Sequence, residues 1–185
     1  IVRLATDDQY FNQQWGLLNT VYSGRDIHAE QAWAISTGNS EVIVAVLDTG
    51  LDYDHDDILN NLWQNPNEIP DDNQDNDKNG FIDDVRGWNF AAASPGNADP
   101  MDNQTHQQDP YGECVQSGIT YHGTHTAGII GAVANNEIGI SGVCWNVKIM
   151  PIKAFNYCGQ SSNSIIINAI DYATKNGAFN LKIVK

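Results

Sequence analysis

One aspartate and one histidine in this chain have surroundings suited to acid–base chemistry. Asp48 ends the apolar run VIVAVLD, which starts at Val42, and His122 opens the segment HGTHTAG. An ionised carboxylate that bonds one ring nitrogen of an imidazole fixes the tautomer and leaves the other nitrogen as a base. Asp48 and His122 are therefore candidates for general-base catalysis.

The elements predicted around these two residues would place them at functional positions. VIVAVLD is a β-branched run typical of a strand buried on both faces, and Asp48 is at its carboxyl end. THTAGIIGAVA, which begins at Thr124, is typical of a buried helix. Sites in open parallel sheets lie at the carboxyl ends of the strands. Gly123 would let another group approach the imidazole closely, and the helix N-terminus disfavours a charge on His122.

Three further segments complete the pattern of elements. IHAEQAWAISTGN (27–39) predicts a helix, VKIMPIKAF (147–155) a second buried strand, and SSNSIIINAIDYATKNG (161–177) an amphipathic helix. This order indicates an α/β fold with a parallel β-sheet flanked by helices. The 185 residues suit one domain, and the polar loop region at 52–121 is too long to be without a function.

Composition limits the partners of the chain. Acidic residues outnumber basic ones 23 to 9, and the net charge of −14 repels nucleic acids and anionic membranes. We therefore predict neither a nucleic-acid nor a membrane partner, and no apolar run is long enough to span a bilayer. The cysteines, none in a CxxC spacing, allow one disulfide and one thiol if the protein is exported, with the pairing open: Cys114, Cys144 and Cys158.

Other chemistries use parts of the same motifs. Aspartic proteases also carry the triplet Asp48-Thr49-Gly50, but they need two such carboxylates and only one occurs here. His122 and His125 could bind a metal, although the glutamate of the HExxH motif is absent. The structural alternatives are a loop cap for Asp48 and a core histidine for His122.

The segment DNDKNGFIDD has the oxygen ligands of a calcium loop. Its acids and amides alternate, and Gly80 stands at the sharp turn, as in the first seven positions of an EF-hand loop. The twelfth position is Arg86 instead of glutamate, so Asp83 or, as we prefer, Asp84 must complete the shell. The alternative is an acidic turn without metal. The predicted Ca²⁺ ligands are Asp75, Asp77, Asn79, the carbonyl of Phe81, and Asp84.

Three segments together resemble the subtilisin-like serine proteases (subtilases). They are VAVLDTGLDYDHDDI (44–58), HGTHTAGIIGAVANNEIGISGV (122–143) and VKIMPIKAF, and the resemblance runs from about Asp8 to about Gly177. It implies an Asp-His-Ser triad that hydrolyses peptide bonds, with Asp48 orienting His122 as the general base. His125 then matches a structural histidine of the family.

The triad serine is the main departure from the family pattern. The family's Gly-Thr-Ser motif does not occur here, and the tail FNLKIVK (179–185) does not match the usual continuation. Residues 1–185 are thus expected to be the N-terminal part of a catalytic domain, lacking the C-terminal part of the sheet and the nucleophile segment. We expect a partner segment, in cis or as a second chain. The alternative is a silent calcium- or peptide-binding relative, and Ser161 and Ser162 are predicted to cap a helix.

The resemblance also implies a substrate cleft and a second calcium site. The segment after VKIMPIKAF would pair with a polypeptide substrate as an added strand. A plain strand-to-helix loop is the alternative. The implied cleft residues are Phe155, Gly159, Gln160 and Ser161. The implied Ca²⁺ ligands are the side chains of Asp8, Asp57 and Asn136 and the main-chain oxygens of Ala134, Ile138 and Ile140.

Two further expectations concern the acidic loop and the destination of the protein. Asp99 and Asp102 could add a third, weaker calcium site, although acids in a solvated loop are equally expected there. Bound Ca²⁺ would stabilise loops that have few contacts of their own. The family, the calcium loops and the disulfide together predict a secreted protein.

Overall fold

A parallel four-stranded sheet lies at the centre of the structure. The computed structural model describes residues 5–22, 24–102, 121–156, 158–178 and, for the backbone alone, 180–183. The strands are β1 (Gly38–Asp48), β2 (Trp88–Asn89), β3 (Asn146–Lys153) and β4 (Asn180–Ile183). Their spatial order is β2-β3-β1-β4, and every pairing is parallel.

Two of the helices cover opposite faces of this sheet. They are α2 (His122–Gly131) and α3 (Asn163–Lys175), while α1 (Ala29–Trp33) precedes β1. Ala45 and Leu47 of β1 face the core that includes Tyr172 of α3. Val46 faces the core that includes Ala127 of α2. The end of β1 is therefore buried on both faces, and the predicted α/β fold with a parallel sheet and flanking helices is confirmed.

Helix α1 is shorter than the sequence predicts. The predicted segment runs to Asn39, but the helix ends at Trp33 and β1 already starts at Gly38. Ile35 is 89% exposed, so the apolar spacing does not continue on one buried face. Gly38 has a φ of 102°, which no right-handed helix accommodates.

Two strands were not predicted because they are short. Strand β2 has two residues, which pair with Ile152 and Lys153 of β3. Strand β4 has four residues in the tail and pairs with Val44 to Leu47 of β1. Neither run is long enough to show a period in the sequence.

Two of the three cysteines lie in the described residues. Cys158 is disulfide-bonded and Cys144 is a free thiol, while Cys114 lies outside the described residues. Among the described helices, none combines the length and apolar character that crossing a bilayer requires.

Candidate active site and acidic clusters

Asp48 is fixed at the carboxyl end of β1. Its side chain is buried, and Oδ1 accepts a hydrogen bond from the backbone N–H of Thr49 at 2.7 Å. Its main-chain oxygen accepts the N–H groups of Ala154 at 2.9 Å and Phe155 at 3.1 Å. Asp48 pairs with Lys153, the last residue of β3. The hydrogen bonding between β1 and β3 therefore extends to the two residues that follow β3.

His122, the first residue of α2, contacts this carboxylate directly. Its Nδ1 lies 2.9 Å from both Oδ1 and Oδ2 of Asp48. The histidine side chain is 37% exposed and that of Asp48 is 2% exposed. Because an ionised carboxylate only accepts hydrogen bonds, it selects the tautomer with the proton on Nδ1, and in the neutral imidazole Nε2 is then the acceptor. This arrangement has the geometry of an oriented general base.

Gly123 allows α2 to approach the end of β1. A Cβ atom at this position would lie 1.9 Å from the main-chain oxygen of Gly50 and 3.0 Å from Cβ of Asp48. The N–H of Gly123 also donates to Oγ1 of Thr49 at 3.2 Å. The glycine thus brings the helix backbone close to the aspartate-bearing turn, which sets the position of His122.

Replacing Gly123 with alanine is expected to destabilise the protein by about 1–3 kcal/mol, because the new methyl group would overlap the backbone of Gly50. The same shift would lengthen the contact between His122 and Asp48. Thermal unfolding and the NMR signal of the His122 Nδ1 proton measure the two effects. Gly16→Ala is the matched control, since its Cβ would meet nothing within 4 Å. An unchanged melting temperature in Gly123→Ala would contradict the close approach.

A second buried carboxylate holds the first turn of α2. Oδ2 of Asp102 accepts from Oγ1 of Thr124 at 3.1 Å and from its N–H at 3.4 Å. Oγ1 of Thr124 also accepts the N–H of Asp52 at 2.9 Å. Burial lowers the pKa of the nearby Lys153, and the charge of Asp102 opposes this. The sequence suggested Asp102 for a weak calcium site and gave no signal of this link to the helix.

Three of the four residues predicted for the cleft, Gly159, Gln160 and Ser161, lie in the loop between β3 and α3, of which residues 156 and 158–161 are described. After that prediction, we call residues 156–161 the substrate loop. Oδ1 of Asn156 accepts the N–H groups of Cys158 at 3.0 Å and Gln160 at 2.9 Å. Gly159 provides the turn with a φ of 68°. Phe155, which precedes the loop, is only 8% exposed and packs in the core with a small part of its surface accessible.

The two serines before α3 have different contacts. Ser162 caps the helix, because its Oγ accepts the N–H of Ile165 at 3.3 Å. The prediction that Ser161 is also a capping residue is wrong. Its hydroxyl donates to the main-chain oxygen of Ala154 at 2.6 Å, because the loop folds back onto the end of β3.

Three carboxylates form an acidic cluster in the loop region before β2. Oxygens of Glu68, Asp77 and Asp84 lie within 4.8 Å of one another. Oε1 of Glu68 accepts the N–H of Asn76 at 2.8 Å, whereas the buried Oε2 has no hydrogen-bond partner among the described residues. Burial raises the pKa of both Glu68 and Asp84. Oxygens arranged in this way suit a divalent cation.

This cluster differs in part from the ligand set expected from the sequence. Asp77 and Asp84 are members, but Glu68 was not predicted because it precedes the calcium-loop pattern. The two oxygens of Asp75 accept the N–H groups of Asn79 at 3.0 Å and Gly80 at 2.8 Å, so Asp75 shapes the turn.

Asn79 and Phe81 connect the turn to the cluster and the core. The side-chain amide of Asn79 donates to Asp77 at 3.2 Å and to Asp84 at 3.1 Å. The N–H of Phe81 donates to Oδ1 of Asn79 at 2.8 Å, and its ring packs against Trp88. The turn is therefore held in place by the groups that also surround the carboxylates.

The side chains implied for the second calcium site also lie together. Asn136 donates its backbone N–H to Asp8 at 3.1 Å and its side-chain amide to Asp57 at 3.0 Å. The other oxygen of Asp57 accepts the N–H of Ile140 at 2.9 Å. Both aspartates are buried, and burial raises the pKa of Asp57. Ala134 and Ile138 belong to the same loop after α2.

Fold and geometry together place the chain among α/β proteins with an aspartate–histidine pair at the carboxyl edge of a parallel sheet. Comparison with known proteins identifies the particular family. The model of the subtilase family, Peptidase_S8, matches residues 39–181, and the chain belongs to this family.

Individual relatives agree with this assignment. The chain is 34% identical over 168 residues to subtilisin-like protease 1 of Plasmodium vivax, covering 90% of this chain and 23% of that protein. It is 28% identical over 183 residues to a thermophilic serine proteinase of Bacillus sp. (strain AK1), covering 96% and 35%. Solved proteases from Pseudoalteromonas arctica match with a TM-score of 0.60 and 28% identity, covering 92% of this chain and 44% of that chain. The chain thus spans about a third or less of these two curated relatives.

Proposed function

We propose that this chain is part of a calcium-stabilised, subtilisin-like serine endopeptidase that hydrolyses peptide bonds. The observation that carries the proposal is the contact of His122 Nδ1 with both oxygens of the buried Asp48, at 2.9 Å each. Membership of the subtilase family supports the reaction class. Asp48 and His122 are two members of an Asp-His-Ser triad, and the serine comes from polypeptide beyond these 185 residues, in cis or as a second chain.

In this proposal His122 moves the protons of the reaction. Its Nε2 takes the proton of the serine hydroxyl as the serine oxygen attacks the peptide carbonyl carbon. The resulting imidazolium gives that proton to the leaving amine, and an acyl-enzyme remains. Water then attacks the acyl group by the same proton transfers, which releases the acid and regenerates the serine. Asp48 holds the tautomer and stabilises the imidazolium in both steps.

The proposed substrate is a polypeptide that lies along the substrate loop. The carbonyl of Gly159 and the backbone N–H and carbonyl of Ser161 would pair with an added strand, which is a common mode of peptide recognition. Gln160 would line the cleft with its side chain, because its backbone N–H and carbonyl already bond Asn156. The loop is anchored next to the proposed base, since the N–H of Phe155 is bonded to the main-chain oxygen of Asp48.

The proposed calcium sites use the two groups of acids. The donor set of the acidic cluster fits Ca²⁺, because its oxygens are hard ligands and Oε2 of Glu68 is buried without a partner among the described residues. Bound Ca²⁺ would neutralise the clustered charge and join the loops that carry it. The first site comprises Glu68, Asp77 and Asp84, with Asp75, Asn79 and the carbonyl of Phe81 as further candidates. The second comprises Asp8, Asp57 and Asn136, with the carbonyls of Ala134, Ile138 and Ile140.

We also propose that the protein is secreted. A disulfide bond at Cys158 supports this location, because disulfides persist in oxidising compartments. The alternative function is a silent calcium- or peptide-binding relative, which the acidic cluster of Glu68, Asp77 and Asp84 would also suit.

Intact mass under denaturing conditions, followed by a fluorophosphonate probe, distinguishes the two functions. The natural protein is expected to contain a longer or second polypeptide whose serine takes the label, because an oriented general base activates that hydroxyl. A sample that holds only this chain and remains unlabelled would support the silent relative.

A further inference from the structure

The acidic cluster is bonded to helix α3 at its buried side. The hydroxyl of Tyr172 donates to Oδ2 of Asp84 at 2.6 Å. Both side chains are almost fully buried, so the hydroxyl has little access to water. The ring of Phe81, which follows the turn of the cluster, also packs edge-on against the Tyr172 ring at 4.9 Å between centroids. A movement of Asp84 would therefore break its hydrogen bond with Tyr172 or displace α3.

Glu68 indicates that the cluster is built for a cation. Its side chain is 7% exposed, and its buried Oε2 is without a hydrogen-bond partner in the described structure. An oxygen of the same carboxylate lies within 4.8 Å of oxygens from Asp77 and Asp84. An unpaired buried carboxylate oxygen beside two further carboxylates is strongly unfavourable unless a bound cation or protons neutralise the group.

Helix α3 in turn begins where the substrate loop ends. Ser162 caps the helix, and Ser161 is tied to Ala154 through its hydroxyl. The helix has 13 residues, and its buried face includes Tyr172 and Ala169. A packed helix moves largely as a rigid element. Fixing the position of Tyr172 therefore also restricts movement of the N-terminal end of α3, which Ser162 caps.

We propose that Tyr172 is a positioning residue through which cation binding at Glu68, Asp77 and Asp84 orders the substrate loop. The inference rests on the calcium site and the substrate loop proposed above. A cation that fixes Asp84 also fixes the acceptor of the Tyr172 hydroxyl. Because a buried donor without an acceptor is costly, α3 keeps this contact and holds the loop. The coupling is reciprocal, so a peptide on the loop tightens cation binding.

Hydrogen exchange measured by mass spectrometry tests this coupling in the full protein, in EGTA and in excess Ca²⁺. In the wild type, Ca²⁺ is expected to slow amide exchange several-fold at 68–84 and also at 156–166. In Tyr172→Phe, which retains the ring, the effect at 68–84 persists and that at 156–166 is lost. Tyr53→Phe is the matched control, because its hydroxyl also bonds a carboxylate, that of Asp99 at 3.1 Å, and it should behave as wild type.

The outcomes separate the coupling from the calcium site. If Ca²⁺ leaves exchange at 68–84 unchanged in the wild type, the calcium site is wrong and the coupling fails with it. If 68–84 responds but 156–166 does not, or responds equally in Tyr172→Phe, the calcium site stands and the coupling is overturned.

A ligand variant gives a second test that does not depend on the folding of Tyr172→Phe. In Glu68→Gln, the Ca²⁺ concentration needed for protection should rise by the same factor at 68–84 and at 156–166. Separate midpoints for the two segments would overturn the coupling.

Discussion

Asp48→Asn is expected to lower kcat/KM of the proposed peptidase, in its complete form, by about 10³- to 10⁴-fold, with little change in folding. The asparagine amide has nearly the shape of the carboxylate. It offers one acceptor oxygen and one donor group to an imidazole that now meets two acceptor oxygens at 2.9 Å. The donor favours the tautomer with the proton on Nε2, so the base is lost. Peptide hydrolysis by the protein that includes the nucleophile, with the melting temperature recorded in parallel, is the measurement.

His122→Ala should cause a loss of similar size, because it removes the proposed acceptor of the serine proton. His125→Ala is the matched control, since His125 lies three residues further along the same helix and is exposed. It should retain most of the activity. An equal loss in both variants would instead favour a metal bound by the two histidines, and activity retained in His122→Ala would remove His122 from the mechanism.

Removal of Ca²⁺ is expected to lower the melting temperature by on the order of 10 °C. A ligand at 100 times its Kd stabilises the folded state by about 2.7 kcal/mol per site, and two sites are proposed. In a domain of this size, 1 kcal/mol corresponds to roughly 2–4 °C. Calorimetry in Ca²⁺ and in EGTA measures the difference.

Variants assign the effect of Ca²⁺ to each site. Glu68→Gln and Asp57→Asn should each remove part of the stabilisation by Ca²⁺. Asp171→Asn is the control, because this carboxylate is exposed and pairs only with Lys175 on the surface of α3 among the contacts described. A melting temperature that does not respond to EGTA would count against both sites.

The slope of the free energy of unfolding against pH is expected to have opposite signs in EGTA and in saturating Ca²⁺. Burial raises the folded-state pKa of Glu68, Asp84 and Asp57 above the usual value of about 4. Between the usual and the raised values the folded state binds more protons than the unfolded state. In EGTA, the free energy of unfolding therefore increases as the pH falls through the raised pKa values.

In saturating Ca²⁺ the same protons compete with the ion, so the free energy of unfolding decreases as the pH falls. Denaturant titrations at several pH values, in EGTA and in Ca²⁺, give the two slopes. Slopes of the same sign would contradict the location of the cation at these carboxylates.

The parts of the site that depend on long local patterns were predictable from the sequence. Asp48 ends a strand of clear β-branched character and His122 begins a helix, so both could be placed at a sheet edge before any contact was known. Strand β3 and helix α3 were found for the same reason, since each has a sustained apolar pattern. Where the apolar pattern was short or interrupted, as in α1 and β2, the prediction failed.

The contacts that the sequence did not predict are made by irregular loop segments. Glu68 reaches the predicted calcium loop because the backbone N–H groups of Asn76 and Asp77 donate to its Oε1. Asp102 is linked to α2 through Thr124, across a segment with no recognisable period. Such contacts depend on how irregular loops fold back, and neither residue spacing nor hydrophobic periodicity carries that information.

The main-chain oxygen of Asp48 has a practical consequence for engineering. Since it accepts the N–H groups of Ala154 and Phe155, the aspartate that contacts His122 also anchors the first residues after β3. A foreign loop grafted between Asn156 and Ser161 would leave that anchor intact. If the proposed function holds, libraries of altered length in this interval should change which peptides are cleaved and leave the spacing of Asp48 and His122 unaltered.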